Sequence, residues 1–425
     1  MKVDRSNGLR GTMTVPGDKS ISHRSVMFGA LAEGTTRVRH FLSGADCLST
    51  IDCMSRMGIS VEKDNEELLI HGKGLHGLTA PTETLDAGNS GTTTRLLSGI
   101  LAGQRFSSRI TGDSSLTSRP MKRIMEPLTQ MGARIRSEQG NGCAPLIIDG
   151  APLQGITYHT PVASAQVKSC ILLAGLYAEG LTRVYEPALS RDHTERMLRA
   201  FGADVATDAD GSIVLTPGRK LTGQAVEVPG DISSAAYFLA AGLLVPNSEI
   251  ILENVGLNPT RDGMICVIEK MGGQMTFLKR YHEDTEPAAD ILVRPSQLHG
   301  TVIEGAIIPT LIDELPIIAV MAAFAEGETI IKDAAELKVK ETDRLALITE
   351  NLTRMGADIT ATDDGMIIRG GRPLHGAAIE VQGDHRMAMA FAIAGLLTGD
   401  MEIADAACVS VSYPTFFETL KNLSR

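Results

Sequence analysis

The chain has 425 residues, a net charge of −11 and no tryptophan. An acidic protein of this kind argues against nonspecific nucleic-acid binding and against attachment to anionic membranes, and it makes any local cluster of Lys and Arg informative. The length exceeds one ordinary hydrophobic core and points to two or three domains. Hydrophobic residues make up 43% of the chain but aromatics only 4%, so Ala, Leu, Ile and Met must do most of the packing. The N-terminus, MKVDRSNGLRG, has no apolar signal-like segment, and the longest apolar run, 235–245, is too short to span a bilayer, so a soluble cytoplasmic protein is expected. Six cysteines show no C-x-x-C spacing and are expected to be reduced and buried.

In chain order, MKVDRSNGLRGTMTV reads as strand material that need not pack with the first repeat. PGDKSISHR (16–24) turns at Gly17 and Asp18 and opens a helix, with Ser20 as the expected cap. Lys19 and Arg24 lie near the positive helix end, a combination suited to phosphate or carboxylate. HGKGLHG (71–77) matches G-x-G-x-x-G but leads into LTAPTE instead of a helix, so it lacks the dinucleotide-binding context. GNSGTTTRLL (88–97) opens a second helix, where Gly88 and Gly91 let backbone N–H groups approach a ligand beside Asn89, the threonines and Arg95. In TGDSSLTSRPM (111–121), Arg119 precedes Pro120 and is therefore expected in extended backbone, its side chain presented from a loop.

ASAQVKSCILLAG (163–175) opens a third helix and offers Ser164, Gln166 and Lys168. A Gly- and Pro-punctuated stretch at 216–231 reads as a domain break, followed by PGDISSAAYFLAAG (229–242). YHEDTEPAAD (281–290) reads as a solvated hairpin tip. In DELPIIAVMAAFA (313–325), Asp313 is either an N-cap, worth roughly 1 kcal/mol, or a general base. KVKETDRL (338–345) is expected to place Lys340, Glu341 and Arg344 within one helical turn, where Lys340 and Arg344 repel unless an anion lies between them. Ile348, Leu352 and Met355 mark one helix face, and Gly356 suits the left-handed position that ends the helix. GDHRMAMAFAIAG (383–395) adds Arg386 at a sixth start.

The six starts recur about every 70 residues, and Met-Gly or Phe-Gly closes intervening helices at SRMGISV, LTQMGARI, LRAFGADV, IEKMGGQM and LTRMGADI. This grammar of helix, strand, helix, strand is an α/β repeat. Six repeats divide most simply into two domains, 14–226 and 1–13 plus 227–425. The scattered His residues offer no metal motif, so no metal is expected. Lys19, Arg24, Arg119, Lys340, Arg344 and Arg386 all sit at or near repeat starts. A shared positive gap holding two anionic small molecules is the reading these residues suggest.

PGDKSISHR, GNSGTTTR, GD-SL--RPM, KETDR and GDHRMAM together resemble the signature segments of the 5-enolpyruvylshikimate-3-phosphate synthase family, in order and over essentially the whole chain. The resemblance implies an inside-out α/β barrel of two domains, each of three βαβαββ repeats, with the active site in the cleft between them. It also implies transfer of the enolpyruvyl group of phosphoenolpyruvate to the 5-hydroxyl of shikimate 3-phosphate, in chorismate and aromatic amino acid synthesis. No cofactor and no metal are implied, and the herbicide glyphosate would occupy the phosphoenolpyruvate site. A monomer with no nucleic-acid or membrane partner is expected.

Carried over by motif, Lys19, Ser20, Arg24, Ser164, Gln166, Ser190, Asp313 and Lys340 would hold shikimate 3-phosphate. Lys19, Asn89, Gly91, Arg119, Gln166, Arg344 and Arg386 would hold phosphoenolpyruvate. Asp313 would be the base for the hydroxyl, and Glu341, sharing the task with Lys19, the proton donor to C3. The sequence departs from the family pattern at three places: Ala165 stands where many members have Ser, Val411 where some have Lys, and Glu336 where some have Asn. The alternative is the sister transferase acting on UDP-N-acetylglucosamine, which usually has a reactive Cys before the Arg-Pro pair; Ser114 stands at the comparable place. An RNA-end-binding repeat protein and a noncatalytic scaffold are opposed by the acidic charge and by the cations at helix starts.

Overall fold

Five helices in the computed structural model, which describes residues 1–282 and 285–424, stop at glycines with positive φ: Gly58 (89°), Gly132 (96°), Gly202 (101°), Gly272 (81°) and Gly356 (88°). These are the five Met-Gly and Phe-Gly sites, and each glycine occupies the left-handed conformation that other residues adopt only with strain. The Ile348, Leu352 and Met355 face is fully buried, as its spacing predicts.

The six repeat starts open six central helices: α1 (Lys19–Leu31), α2 (Gly91–Ala102), α3 (Ala165–Gly175), α4 (Ile232–Leu244), α5 (Leu315–Phe324) and α6 (His385–Thr398). All are buried on nearly every face, which explains why their sequences are apolar all round instead of striped. Five carry a side-chain N-cap: Asp18, Ser90, Ser164, Asp231 and Asp384. The cap of α1 is thus Asp18, whose carboxylate accepts from the Ile21 N–H at 2.9 Å, and Ser20 lies inside the helix. Asp18 has the extended backbone a cap requires, which removes that role from Ser20.

Five of the repeats close with a sheet of one recurring order, in which a leading strand pairs parallel and two following strands pair antiparallel. In the second repeat Leu85–Asp86 runs parallel to Ser107–Thr111, which pairs antiparallel with Leu146–Asp149, and that strand with Arg134–Ser137. The leading strands of two sheets come from afar in sequence. Arg10–Thr14 pairs parallel with Glu249–Gly256, and Ala225–Glu227 pairs parallel with Glu33–Arg39. The sixth sheet holds Ala378–Ile379 and Met401–Ile403, and Lys2–Val3 adds the antiparallel strand that the shortened last repeat lacks. This is the inside-out α/β barrel architecture, with helices inside and sheets outside.

The chain divides into two compact units, Gly17–Val228 and Met1–Pro16 with Pro229–Arg425, here the N-terminal and C-terminal units. In the N-terminal unit α2 and α3 lie close enough that a methyl on Gly99 would sit 2.2 Å from the Cys170 carbonyl oxygen, so only glycine permits that approach. In the C-terminal unit α4, α5 and α6 pack against one another. HGKGLHG ends the strand Glu67–Lys73 and runs into irregular backbone, not a helix.

Strands Met275–Tyr281 and Ala288–Val293 form an antiparallel hairpin whose expected tip includes Glu283 and Asp284, which lie outside the described residues. All six cysteines are free thiols, but only Cys47, Cys53 and Cys170 are buried; Cys143, Cys266 and Cys408 are half-exposed, against expectation. Cys143 forms an isolated bridge with Pro120 and Cys408 lies in a short 3-10 segment, where backbone irregularity leaves less cover than a central helix gives. Among the described residues no single helix is long and apolar enough to cross a membrane.

Candidate active site

In the N-terminal unit the starts of α1, α2 and α3 bring one set of candidates together. Lys19 opens α1 and places Nζ 3.2 Å from Asp46 Oδ2, on the helix Ala45–Arg56. Arg24 is 2% exposed. Its Nε donates to Thr194 Oγ1 at 2.7 Å, its Nη2 to Ser169 Oγ at 2.9 Å and its Nη1 to the Ser20 carbonyl at 2.9 Å. The guanidinium therefore fastens α1 to α3 and to the helix His193–Ala200.

Asn89 and Arg119 form one pair, with Arg119 Nη2 donating to Asn89 Oδ1 at 2.8 Å and to Ser115 Oγ at 3.0 Å. Arg119 has the extended backbone (φ −83°, ψ 135°) that Pro120 demands. Gly91 is the first residue of α2. A methyl there would lie 2.5 Å from Arg95 Nη1 and 3.7 Å from Arg119 Nη1. Arg95 in turn donates to Gln166 Oε1 at 2.8 Å, and Gln166 Nε2 donates to Thr92 Oγ1 at 3.0 Å, so both ends of the Gln166 amide are fixed. Burial, then the neighbouring Arg119 and Arg123 charges, lower the Arg95 pKa to about 10.

Ser164 caps α3 by accepting from the Val167 N–H at 3.4 Å. Lys168 does not face a ligand, contrary to its reading as a cation at a helix start. Its side chain is 1% exposed and lies 2.7 Å from Glu186 Oε2 and 2.8 Å from Glu195 Oε1. Burial alone would lower its pKa, but the two carboxylates outweigh burial and raise it.

His23, buried in α1, shares a 2.7 Å hydrogen bond between Nδ1 and Thr50 Oγ1, and Thr50 in turn bonds Thr93 of α2 at 2.7 Å. Burial pushes the imidazole pKa down to about 3, against the opposing Asp46 charge. A folded pKa below the unfolded value means that this contribution is whole above pH 6.5 and is lost as pH falls toward 3. His23→Asn is therefore expected to flatten the fall of unfolding free energy between pH 6 and 4 by up to about 1.4 kcal/mol per pH unit. Denaturant titrations across that range measure it; an unchanged slope contradicts the assignment.

In the C-terminal unit the candidates converge on Asp313. Its Oδ1 lies 3.6 Å from Lys340 Nζ and 3.6 Å from Arg344 Nη1, and its Oδ2 lies 3.8 Å from Arg386 Nη2. Asp313 is not the helix cap: Glu314 occupies that position of α5 without a capping hydrogen bond. Nor do Lys340 and Glu341 share a helical turn with Arg344. Asp343 caps a helix beginning at Arg344 by accepting from the Ala346 N–H at 3.0 Å, so Lys340 and Glu341 stay in irregular backbone. The anion expected between Lys340 and Arg344 is Asp313 itself.

Arg344 is wholly buried, with Nε 2.7 Å from Asp384 Oδ2 and Nη2 2.6 Å from Glu341 Oε2. Asp384 also caps α6, accepting from the Arg386 N–H at 2.9 Å. Burial would raise the Glu341 pKa, but Arg344 and then His385 overcome it and hold the carboxyl down at about 2. Glu341 is thus a carboxylate at neutral pH and must collect a proton before giving one. Lys340 also pairs with Glu336 at 2.9 Å, the residue standing where some relatives have Asn.

Sequence reasoning missed Asp46, Glu186, Glu195 and Asp384, the acidic partners that orient the cations. GDHR carried a signal for Asp384, since Asp before a helix suggests a cap. Nothing local marked the other three, whose partners lie far away in sequence.

The family model described as EPSP synthase (3-phosphoshikimate 1-carboxyvinyltransferase) matches residues 3–420. The chain belongs to this family. Curated relatives named 3-phosphoshikimate 1-carboxyvinyltransferase include one from Brevibacillus brevis, 54% identical over 426 residues and covering 100% of both chains. Another, from Bacillus thuringiensis subsp. konkukian, is 56% identical, covering 99% of this chain and 98% of its own. A solved EPSP synthase from Acinetobacter baumannii superposes with a TM-score of 0.92 at 47% identity, covering 100% of this chain and 98% of that one. The sister transferase reading is not favoured by these relatives.

Proposed function

We propose that the chain transfers the enolpyruvyl group of phosphoenolpyruvate to the 5-hydroxyl of shikimate 3-phosphate and releases phosphate. The observation that carries the reading is the full-length membership of this family, and the gathering of Lys340, Arg344 and Arg386 around Asp313 supports it. In this reading shikimate 3-phosphate is held by Lys19, Ser20, Arg24, Ser164, Gln166, Ser190, Asp313 and Lys340. Phosphoenolpyruvate is held by Lys19, Asn89, Gly91, Arg119, Gln166, Arg344 and Arg386.

The chemistry needs a base, an acid and an anion cradle. The cations around Asp313 are those assigned to the substrates. When substrate anions draw them, Asp313 is released to take the proton of the 5-hydroxyl. The hydroxyl oxygen bonds to C2 of phosphoenolpyruvate while C3 gains a proton from Lys19 or from a Glu341 that has first been protonated. The tetrahedral adduct then returns a proton from C3 to the acid and expels phosphate from C2, which takes up the proton held by Asp313 and leaves as hydrogen phosphate, restoring the double bond and the Asp313 carboxylate. No cofactor enters this balance.

Offering both acceptors with phosphoenolpyruvate and weighing the products tests the reading. Enolpyruvylshikimate 3-phosphate is the expected product; turnover of UDP-N-acetylglucosamine alone would overturn it. The same reading makes the protein a cytoplasmic monomer that glyphosate inhibits at the phosphoenolpyruvate site; an unchanged rate at saturating glyphosate would refute the inhibition.

Gly91→Ala tests the crowding at Arg95. The added methyl must displace a half-buried guanidinium that also holds Gln166. We expect KM for phosphoenolpyruvate to rise on the order of tenfold and glyphosate inhibition to weaken, since a shift of about 1 Å in a positioned group has large effects. Steady-state kinetics with and without glyphosate check this, and unchanged values for both would contradict it.

A further inference from the structure

Ser164 and Ser190, both assigned to the acceptor, share an anchor that the proposed reaction does not use. Glu186 is 8% exposed and follows the strand Thr182–Tyr185. Its Oε1 accepts from the Ser190 hydroxyl at 2.6 Å and from the Ser164 backbone N–H at 3.2 Å. Its Oε2 lies 2.7 Å from Nζ of Lys168, which Glu195 holds from another side at 2.8 Å and which also donates to the Ser190 carbonyl at 3.4 Å.

A buried ammonium between two buried carboxylates is costly to desolvate, and apolar side chains of similar volume often do as well or better for stability. Stability is therefore a poor explanation for this cluster, whereas orientation is a good one. Ser190 gives its single hydroxyl proton to Glu186, which fixes the direction of the oxygen. The Ser164 N–H, at the start of α3, is fixed by the same carboxylate oxygen. Lys168 fixes the carboxylate in turn.

We propose that Glu186, clamped by Lys168 and Glu195, is a positioning residue that sets Ser190 and Ser164 together for the phosphorylated acceptor. The inference rests on the acceptor reaction given under Proposed function. The network stays clear of the residues assigned to phosphoenolpyruvate: Asn89 pairs with Arg119, and Gln166 is held separately by Arg95 and Thr92. Loss of Glu186 should therefore weaken one substrate and spare the other.

The test is steady-state kinetics of Glu186→Ala and Glu186→Gln with each substrate varied in turn. Glutamine keeps an oxygen for Ser190 and Ser164 and leaves Lys168 paired one-to-one with Glu195. Glu186→Ala is expected to raise KM for shikimate 3-phosphate about tenfold or more, with kcat and KM for phosphoenolpyruvate within about threefold of wild type. Glu186→Gln is expected to recover most of that loss. Where the alanine variant does not fold, Glu186→Met keeps the volume and carries the same expectation. An unchanged acceptor KM, equal rises in both KM values, or a glutamine variant as poor as alanine would overturn the proposal. A wild-type protein that ignores shikimate 3-phosphate would instead overturn the reaction on which it rests.

Discussion

Asp313→Ala is expected to lower turnover by about 10²–10⁴-fold, the range for loss of a positioned general base. The geometry sharpens the expectation beyond the number. Lys340, Arg344 and Arg386 surround Asp313 at 3.6, 3.6 and 3.8 Å. A unit charge about 4 Å from an opposite one is worth roughly 4 kcal/mol at an effective dielectric of about 20, before desolvation. Without the carboxylate, three cations face one another across the place it held, and an anionic substrate becomes their shared counter-charge. KM for phosphoenolpyruvate should therefore hold or fall while kcat collapses. Asp313→Asn keeps the shape without the base and should lose turnover similarly. Near-normal turnover in both would reduce Asp313 to a structural counter-ion.

Asp384→Ala should have the largest effect on stability, about 3–5 kcal/mol, because it leaves the wholly buried Arg344 without its closest fully buried partner. Loss of the cap on α6 adds roughly 1 kcal/mol. Asp384→Asn retains an oxygen for the Arg386 N–H and should recover the capping part only. Chemical denaturation measures both, and a loss under about 1 kcal/mol for the alanine variant would contradict the role given to the pair. Arg344 and Arg386 are both tied to this one carboxylate, one through its side chain and one through its backbone N–H. Any folded fraction should therefore also bind phosphoenolpyruvate more weakly.

The repeat was legible because its punctuation is steric. A glycine after Met or Phe at a helix end has one strong physical reason, the left-handed backbone, and all five such sites adopt it. Caps were legible in kind but not always in position. Ser20 and Asp18 compete for α1, and the backbone of Asp18 decides the matter. In KETDR the cap signal at Asp343 was present, but the run of charges suggested a continuous helical turn, so Lys340 was placed on a helix it precedes.

The cations were easy to find and their partners were not. Lys168 is offered in sequence beside Ser164 and Gln166 at a helix start, yet Glu186 and Glu195 enclose it, one from just past the strand Thr182–Tyr185 and one from the helix His193–Ala200. Similarly, nothing in MKV announces that Lys2–Val3 completes the sheet of the last repeat, since that pairing depends on the opposite end of the chain. Long-range pairing of this kind is a property of the fold that no local window of sequence carries.

The most direct measurement is the initial rate of phosphate release from phosphoenolpyruvate, with and without shikimate 3-phosphate. The account predicts release that depends on the acceptor and saturates with it. Release at the same rate without the acceptor, or none with both substrates present, would contradict it.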